Sequence, residues 1–337
     1  MRLRFILLFV LIAAVLNACG SSGADVTSTP VPTDTALVPP TETASPAEPL
    51  AILVVPADLD PETSSLYQKT VYDLAQASGL RFQVRNTLTA ADLEPGLKVV
   101  VVFPPDPGLA ALAATAPQVQ FLAINMPEIP ASGNISVLGG NTQSDVAAFL
   151  AGYTAAMLTD DYRIGMLMPK DNPDAIRALN AYATGMKFQC GVCRQLYFYN
   201  WSYPQYLDIA AAEDPANYDA YADILIMQYR VGTIYVYPDI ATQDLVNYIG
   251  MTGVYMIGSV SPAQRPPGWV MTIQPDVVKG IQSAWPGLVA GQGGVTVQSP
   301  LGLADVDPSL LSPGKQQDVE RILGELQAGR ISTVANP

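Results

Sequence analysis

The chain has 337 residues, 30 of them acidic against 17 basic, and a formal net charge of −13 at neutral pH. Such a surface repels nucleic acid and anionic lipid, so neither is expected as a direct partner. Histidine is absent, which removes the commonest general base and the commonest metal ligand.

Arg2 and Arg4 give a positive start, and Phe5 to Leu16 follow as an uncharged, mostly aliphatic run. The run is shorter than the roughly 20 apolar residues of a membrane-spanning helix. A charged start, a short apolar core and a small residue before the cut predict a signal peptide over residues 1–18. Leu16-Asn17-Ala18-Cys19-Gly20 resembles the lipobox of bacterial lipoproteins. The resemblance implies cleavage before Cys19 and acylation of that residue, palmitate included; the alternative is an ordinary signal with an incidental cysteine. Residues 19–49 are rich in Ser, Thr, Pro and Ala, and from Gly20 on lack aromatic and basic residues. Such a segment buries too little apolar surface to offset the entropy of ordering it, so a disordered tether is expected. No later stretch reaches spanning length without charges or Pro/Gly breaks. The expected location is the extracytoplasmic face of a bacterial cell membrane, held by the lipid.

The body, residues 50–337, alternates short apolar runs with amphipathic segments. Ala51 to Val55 reads as a buried strand, Leu66 to Ser78 as a helix stopped by Gly79, and Arg81 to Val84 as a strand. Val99 to Phe103 reads as a strand stopped by Pro104-Pro105, Gly108 to Ala114 as a short helix, and Gln120 to Ile124 as a strand. The pattern then restarts. Helices are expected over Thr142 to Leu158, Asp174 to Gln189, Pro215 to Tyr229, Gln243 to Ile249, Asp276 to Ala284 and Lys315 to Ala328. Strands are expected at Arg163 to Met168, Leu196 to Tyr199, Thr233 to Tyr237, Val254 to Gly258 and Val270 to Ile273. Continuous apolar strands alternating with helices indicate parallel sheets covered on both faces. Two such sets predict two α/β, Rossmann-like lobes hinged around a central cleft, with ligands beyond the carboxyl ends of the strands.

A lipoprotein with two such lobes already suggests the substrate-binding protein of an ABC importer. Asp145-Val146-Ala147-Ala148-Phe149-Leu150-Ala151-Gly152-Tyr153-Thr154-Ala155-Ala156-Met157-Leu158-Thr159 followed by Arg163-Ile164-Gly165-Met166 resembles the basic membrane protein (BMP) family, which includes purine-nucleoside-binding lipoproteins. Pro117 to Asn125 resembles that family's "P-D-V-K-F" strand, with Asn125 where an aspartate is usual. Asp214-Pro215-Ala216 and Gly232 to Tyr235 resemble its "D-P" helix and following strand. The resemblance implies a periplasmic-binding-protein type I architecture. By the same likeness, lobe one is expected to comprise 51–140 with 275–298, and lobe two 141–274 with 299–337. Two family motifs are missing. Ala57-Asp58-Leu59-Asp60-Pro61 stands where relatives carry Asp…Phe-Asn. Gly258-Ser259-Val260-Ser261-Pro262-Ala263-Gln264 lacks both aspartates of the ribose-gripping motif.

Candidate ligand-binding residues follow from position at expected strand ends: Phe103, Asn141, Tyr199, Trp201, Tyr203, Tyr237, Asp239, Ser259 and Gln274. Tyr197 to Tyr203 is the densest aromatic run, and aromatics with polar tips suit ring-shaped ligands; core or inter-lobe packing explains the same residues equally well. Asp239 is the polar candidate, because an acid just past a strand accepts hydroxyl hydrogen bonds. Cys190 and Cys193 form Cys-Gly-Val-Cys. Outside the cytoplasm the pair reads first as a structural disulfide, with free thiols or a redox-active pair as alternatives. A zinc site would want two further ligands, and with no histidine and no further cysteine it is not expected. No catalytic constellation and no cofactor motif is visible. The expected function is delivery of a small polar solute, a nucleoside first, to an ABC permease and its ATPase. A ligand sensor for a membrane receptor and a two-carboxylate hydrolase are the rivals.

Overall fold

In the computed structural model, residues 48–139, 143–159, 161–193 and 201–334 are described. Cys19, Asn141 and Tyr199 lie outside them, as do the expected signal and tether up to residue 47 and the strand expected at Leu196 to Tyr199. Pro46–Pro337 forms one compact unit.

Two six-stranded sheets organise this unit. The first runs β11-β5-β4-β3-β1-β2, from β1 (Leu50–Val54), β2 (Arg81–Arg85), β3 (Leu97–Val102), β4 (Gln120–Ile124), β5 (Ile135–Leu138) and β11 (Thr296–Val297). Every pairing in it is parallel. The second runs β12-β10-β9-β8-β6-β7, from β6 (Ile164–Pro169), β7 (Gln205–Ile209), β8 (Thr233–Val236), β9 (Tyr255–Gly258), β10 (Trp269–Pro275) and β12 (Leu301–Ala304). Here only the β10–β12 pair is antiparallel.

The apolar strands are continuous because both faces are covered. Alternate residues of a strand point to opposite faces. Leu50, Ile52 and Val54 of β1 enter one core with Val100 and Val102 of β3. Ala51, Leu53 and Val55 enter the other with Val99 and Val101. That second core is closed by α1 (Pro61–Ala77) and by Ile281, Ala284, Trp285 and Leu288 of α7 (Val277–Val289). The second sheet is covered by α3 (Ser144–Leu158), α4 (Pro173–Cys190), α6 (Gln243–Met251) and α8 (Pro313–Gln327). The chain thus passes between sheets three times: between β5 and α3, after β10, and between β11 and β12.

Several elements depart from their expected bounds. α1 begins at Pro61, five residues before Leu66, because Asp60 caps it by accepting from Thr63 N at 2.9 Å and Pro61 suits the first turn. α7 continues through Pro286, since buried Trp285 and Leu288 anchor its last turn and Trp285 Nε1 donates to Ser78 Oγ at 3.0 Å. The single helix expected over Pro215 to Tyr229 is instead a 3₁₀ turn (Pro215–Asn217), a short α5 (Tyr218–Asp223) and a π turn (Ile224–Gln228). The wide turn, closed by Tyr229 N to Ile224 O at 3.1 Å, keeps Leu225 buried while Ile224 and Met227 face outward. β5 is not among the expected strands: it is only four residues long and carries Ser136 within it. Asn134 just before it is used internally: its amide donates to the carbonyls of Ala113, Ala116 and Val119 at 3.3, 3.0 and 2.7 Å.

Candidate functional site

The parallel strands of both sheets end toward the three crossings, and a cavity of about 720 Å³ lies there. The first sheet contributes Asn125, directly after β4, with φ of 51° and its N–H bonded to Leu138 O at 2.9 Å. Left-handed backbone is uncommon outside glycine and is best tolerated by Asn and Asp. The second sheet contributes Gln274 and Pro275 at the end of β10, and Gly302 to Ala304 of β12. Leu66 and Tyr67 of α1 and the first turn of α7 complete the walls. The Tyr67 ring stacks on Phe103, with centroids 4.5 Å apart and planes at 23°. Burial, and then the negative charge of Asp276, push the Tyr67 phenol above its ordinary value.

The charges around this cavity cancel locally. Asp276 caps α7, accepting from Lys279 N at 3.0 Å, and its other oxygen lies 3.1 Å from Lys279 Nζ. Among the described residues lining the cavity, Asp276 is the one carboxylate and Lys279 the one ammonium group. The remaining polar groups are the amides of Asn125, Gln274 and Gln282 and the phenol of Tyr67.

Gln274 belongs to a buried-to-exposed chain of polar contacts. Trp269 Nε1 donates to Thr272 Oγ1 at 3.1 Å, and Thr272 Oγ1 donates to Asp305 Oδ2 at 2.7 Å. Ser261 Oγ donates to the same Asp305 oxygen at 2.5 Å and lies 3.3 Å from Gln274 Oε1. Arg265 Nη2 sits 3.5 Å from the other Asp305 oxygen.

The sequence-derived candidates divide by position. Gln274 lines the cavity, and Phe103 stands behind Tyr67 as its support. Tyr237 and Asp239 follow β8. Asp239 Oδ2 accepts from Asn172 Nδ2 at 3.1 Å, while Asn172 Oδ1 caps α4. Burial raises the Tyr237 phenol, against the opposing effect of its hydrogen bond with Ser144. Ser259 Oγ lies 2.7 Å from the hydroxyl of Tyr235, itself stacked on Tyr182.

Trp201 and Tyr203 stand elsewhere. The strand expected before them, Leu196 to Tyr199, lies outside the described residues; among the described ones they precede β7, whose pairing with β6 starts at Gly165 and Gln205. They therefore lie at the amino ends of the second sheet, away from the crossings. Tyr203 donates to Tyr229 O at 2.6 Å, and the Trp201 ring meets the Tyr229 ring edge-on at 5.0 Å. β7 is an edge strand whose Gln205, Tyr206 and Asp208 are not buried, so its apolar signal is weaker than that of the aromatic run before it. The disulfide joining Cys190 and Cys193, with Cα atoms 4.9 Å apart, closes the end of α4 at this same end of the sheet.

Tyr67, Asn125, Asp276, Lys279 and Gln282 were missed as cavity residues. Tyr67 reads as part of a packing stripe and Asp276 as a helix start, and both readings hold beside the cavity role. Asn125 carried a usable signal, a lone polar residue directly after a wholly apolar strand.

No protein-family model matches the chain, and no curated protein matches it in sequence. Solved structures do match in fold. An ABC transporter solute-binding protein from Conexibacter woesei is similar at TM-score 0.50 and 16% identity, over 85% of this chain and 98% of that one. A transcriptional activator of the comK gene from Bacillus halodurans is similar at TM-score 0.50 and 12% identity, over 83% and 98%. The architecture is that of the type I periplasmic binding proteins: two mostly parallel α/β sheets joined by three crossings. Among the described residues, no helix is long and apolar enough to cross a membrane.

Proposed function

We propose that the chain is an extracytoplasmic solute-binding protein that takes a small polar, ring-bearing molecule into the cavity at the crossings and releases it unchanged. The observation that carries this reading is the cavity itself. It combines contributions from both sheets, a Tyr67 ring backed by Phe103, and polar groups whose charges cancel. An uncharged solute suits such walls, because an ion would meet no unpaired counter-charge. A hydrolase built on two facing carboxylates is disfavoured by the same lining, in which Asp276 is already engaged by Lys279. The likeness to an ABC transporter solute-binding protein supports delivery to an ABC permease and its ATPase. Membership of the basic membrane protein family and a lipid on Cys19 complete the proposal. A nucleoside is the first candidate solute, and a sugar or other heterocycle the second, because both aspartates of the family's ribose motif are absent.

Calorimetry of the Cys19→Ser chain over a panel of nucleosides, bases and sugars tests the reading. Tyr67→Ala should weaken the bound member by about 1–3 kcal/mol, the range for stacking of a base on an aromatic side chain. Trp201→Ala should leave its affinity unchanged. No heat with any member, or undiminished affinity in Tyr67→Ala, would overturn the proposal. A sensor role draws on the likeness to a transcriptional activator, and co-purification with a permease rather than a receptor separates the two.

A further inference from the structure

The contacts around Asp305 fix which way the Gln274 amide faces, and thereby one requirement on the solute. A serine hydroxyl has one proton to donate. Ser261 Oγ stands 2.5 Å from Asp305 Oδ2 and 3.3 Å from the Gln274 amide atom placed as Oε1. A carboxylate only accepts, and a hydrogen bond to an ionised acceptor is about twice as strong as a neutral one. The Ser261 proton therefore goes to Asp305. The competing proton source at that oxygen is equally committed. Trp269 Nε1 can only donate, so Thr272 Oγ1 receives from it at 3.1 Å and passes its own proton to Asp305 at 2.7 Å. Nothing in this chain can reverse, since an indole N–H starts it and a carboxylate ends it. Ser261 Oγ is left with lone pairs only toward Gln274. With Oε1 in that place and the Ser261 proton on Asp305, two acceptor oxygens would face each other; the oxygen and nitrogen of a glutamine amide are assigned from such a network, and here the network demands the turned amide, with Nε2 facing Ser261.

We infer that Gln274 turns its NH₂ to Ser261 and its carbonyl oxygen to the cavity, so the wall at β10 accepts a hydrogen bond and the solute must bring an N–H or O–H to it. Asp305 is the positioning residue. It touches no solute, but it holds the Ser261 proton that would otherwise let the amide turn over. The consequence is a filter. A hydroxyl or amine is accommodated at this wall, whereas an acceptor-only group (an ether, a ring nitrogen, a carboxylate or a phosphate) leaves two oxygens facing each other. The filter rests on the cavity being the solute site; the amide orientation does not.

Selective ¹⁵N and ¹³C labelling of glutamine in the full chain tests the orientation without any solute, with the Gln274 signals assigned by their loss in Gln274→Met. The expected result is NOEs from the Gln274 NH₂ protons to the Ser261 β-protons, and severalfold faster exchange of that NH₂ with water in Ser261→Ala. Asp305→Asn should release the Ser261 proton and weaken those NOEs. Absence of NOEs between the Gln274 NH₂ and the Ser261 β-protons in the parent chain, or an unchanged pattern in Asp305→Asn, would overturn the inference. If Asp305→Asn fails to fold, the exchange rate in Ser261→Ala and the parent NOEs still decide it. When a member of the nucleoside and sugar panel binds, the Gln274 carbonyl carbon should shift while the NH₂ stays in place; a shift of the NH₂ alone counts against the filter. A panel that gives no binding refutes the solute reading and not the orientation, so the two fail separately.

Discussion

Gly152→Ala should be among the most damaging single changes in this chain. Gly152 lies in α3, where every residue from Ala147 to Ala156 is buried, and α4 crosses directly over it. A Cβ at Gly152 would lie 2.0 Å from Tyr182 O and 2.8 Å from Tyr182 C. Gly185 of α4 makes the reciprocal approach, its Cβ falling on Phe149 O. A carbon normally sits about 3.3 Å or more from a carbonyl oxygen, so the added methyl would push the helices apart by about 1.3 Å. Both neighbours are helix backbone and cannot rotate away. A gap of even ~0.5–1 Å forfeits a quarter to a half of each dispersion contact, and Phe149, Tyr153, Tyr182 and Met186 all pack at this crossing or beside it. Overpacking of this kind costs about 3 kcal/mol or more. With a urea slope of roughly 3 kcal/mol/M for a domain of this size, the midpoint should fall by about 1 M. Urea titration followed by circular dichroism measures it. The internal control is Gly324→Ala in α8, exposed and with nothing within 4 Å of its Cβ; it should stabilise by about 0.5–1 kcal/mol through helix propensity. A Gly152→Ala midpoint equal to the parent's would refute the close-approach argument.

Three further outcomes are expected. Tyr153 donates to Asp318, and Arg321 pairs with the same carboxylate; the tyrosine is pushed up to about 12, by burial first and then by Asp318, while Asp318 is lowered, by Tyr153 first. A raised folded pKa on Tyr153 stabilises below its unfolded value of 10.0, and that stability is lost as pH rises from there through about 12. The lowered Asp318 stabilises above 3.8, and that stability is lost as pH falls below it; Tyr153→Phe should flatten both limbs in pH-dependent urea midpoints, and unchanged limbs would count against the pair. Mass spectrometry with and without reductant should find Cys190 and Cys193 bonded to each other, and reduction should cost no more than about 2 kcal/mol because the loop is short; two free thiols in native protein would reject this. Cys19→Ser should move the chain from the membrane fraction to the soluble one, and undiminished membrane retention would reject lipidation.

The sequence by itself determined the class of fold, and for an identifiable reason. Strands such as β3 and β4 are apolar at nearly every position because helices cover both faces, and the stripe in α8 (Val319, Ile322, Leu323, Leu326) marks which face goes inward. Burial acts residue by residue, so it leaves a periodic trace that can be read without coordinates. It also left a trace at Gly152, though as part of a family-like motif rather than as a crossing of two helix backbones. The candidate site was legible only in part. Gln274 was found because it ends an apolar strand. Composition does not say which end of a sheet an aromatic run occupies, and it was the edge strand β7 that set Trp201 and Tyr203 apart from the cavity. Tyr67, Asn125 and the Asp276–Lys279 pair come from α1, the end of β4 and the start of α7, segments separated by up to some two hundred residues. Only the pairing order of the sheets and the three crossings bring them to one cavity. No local pattern records that meeting, because it is fixed by which strands lie side by side and not by what any one of them contains.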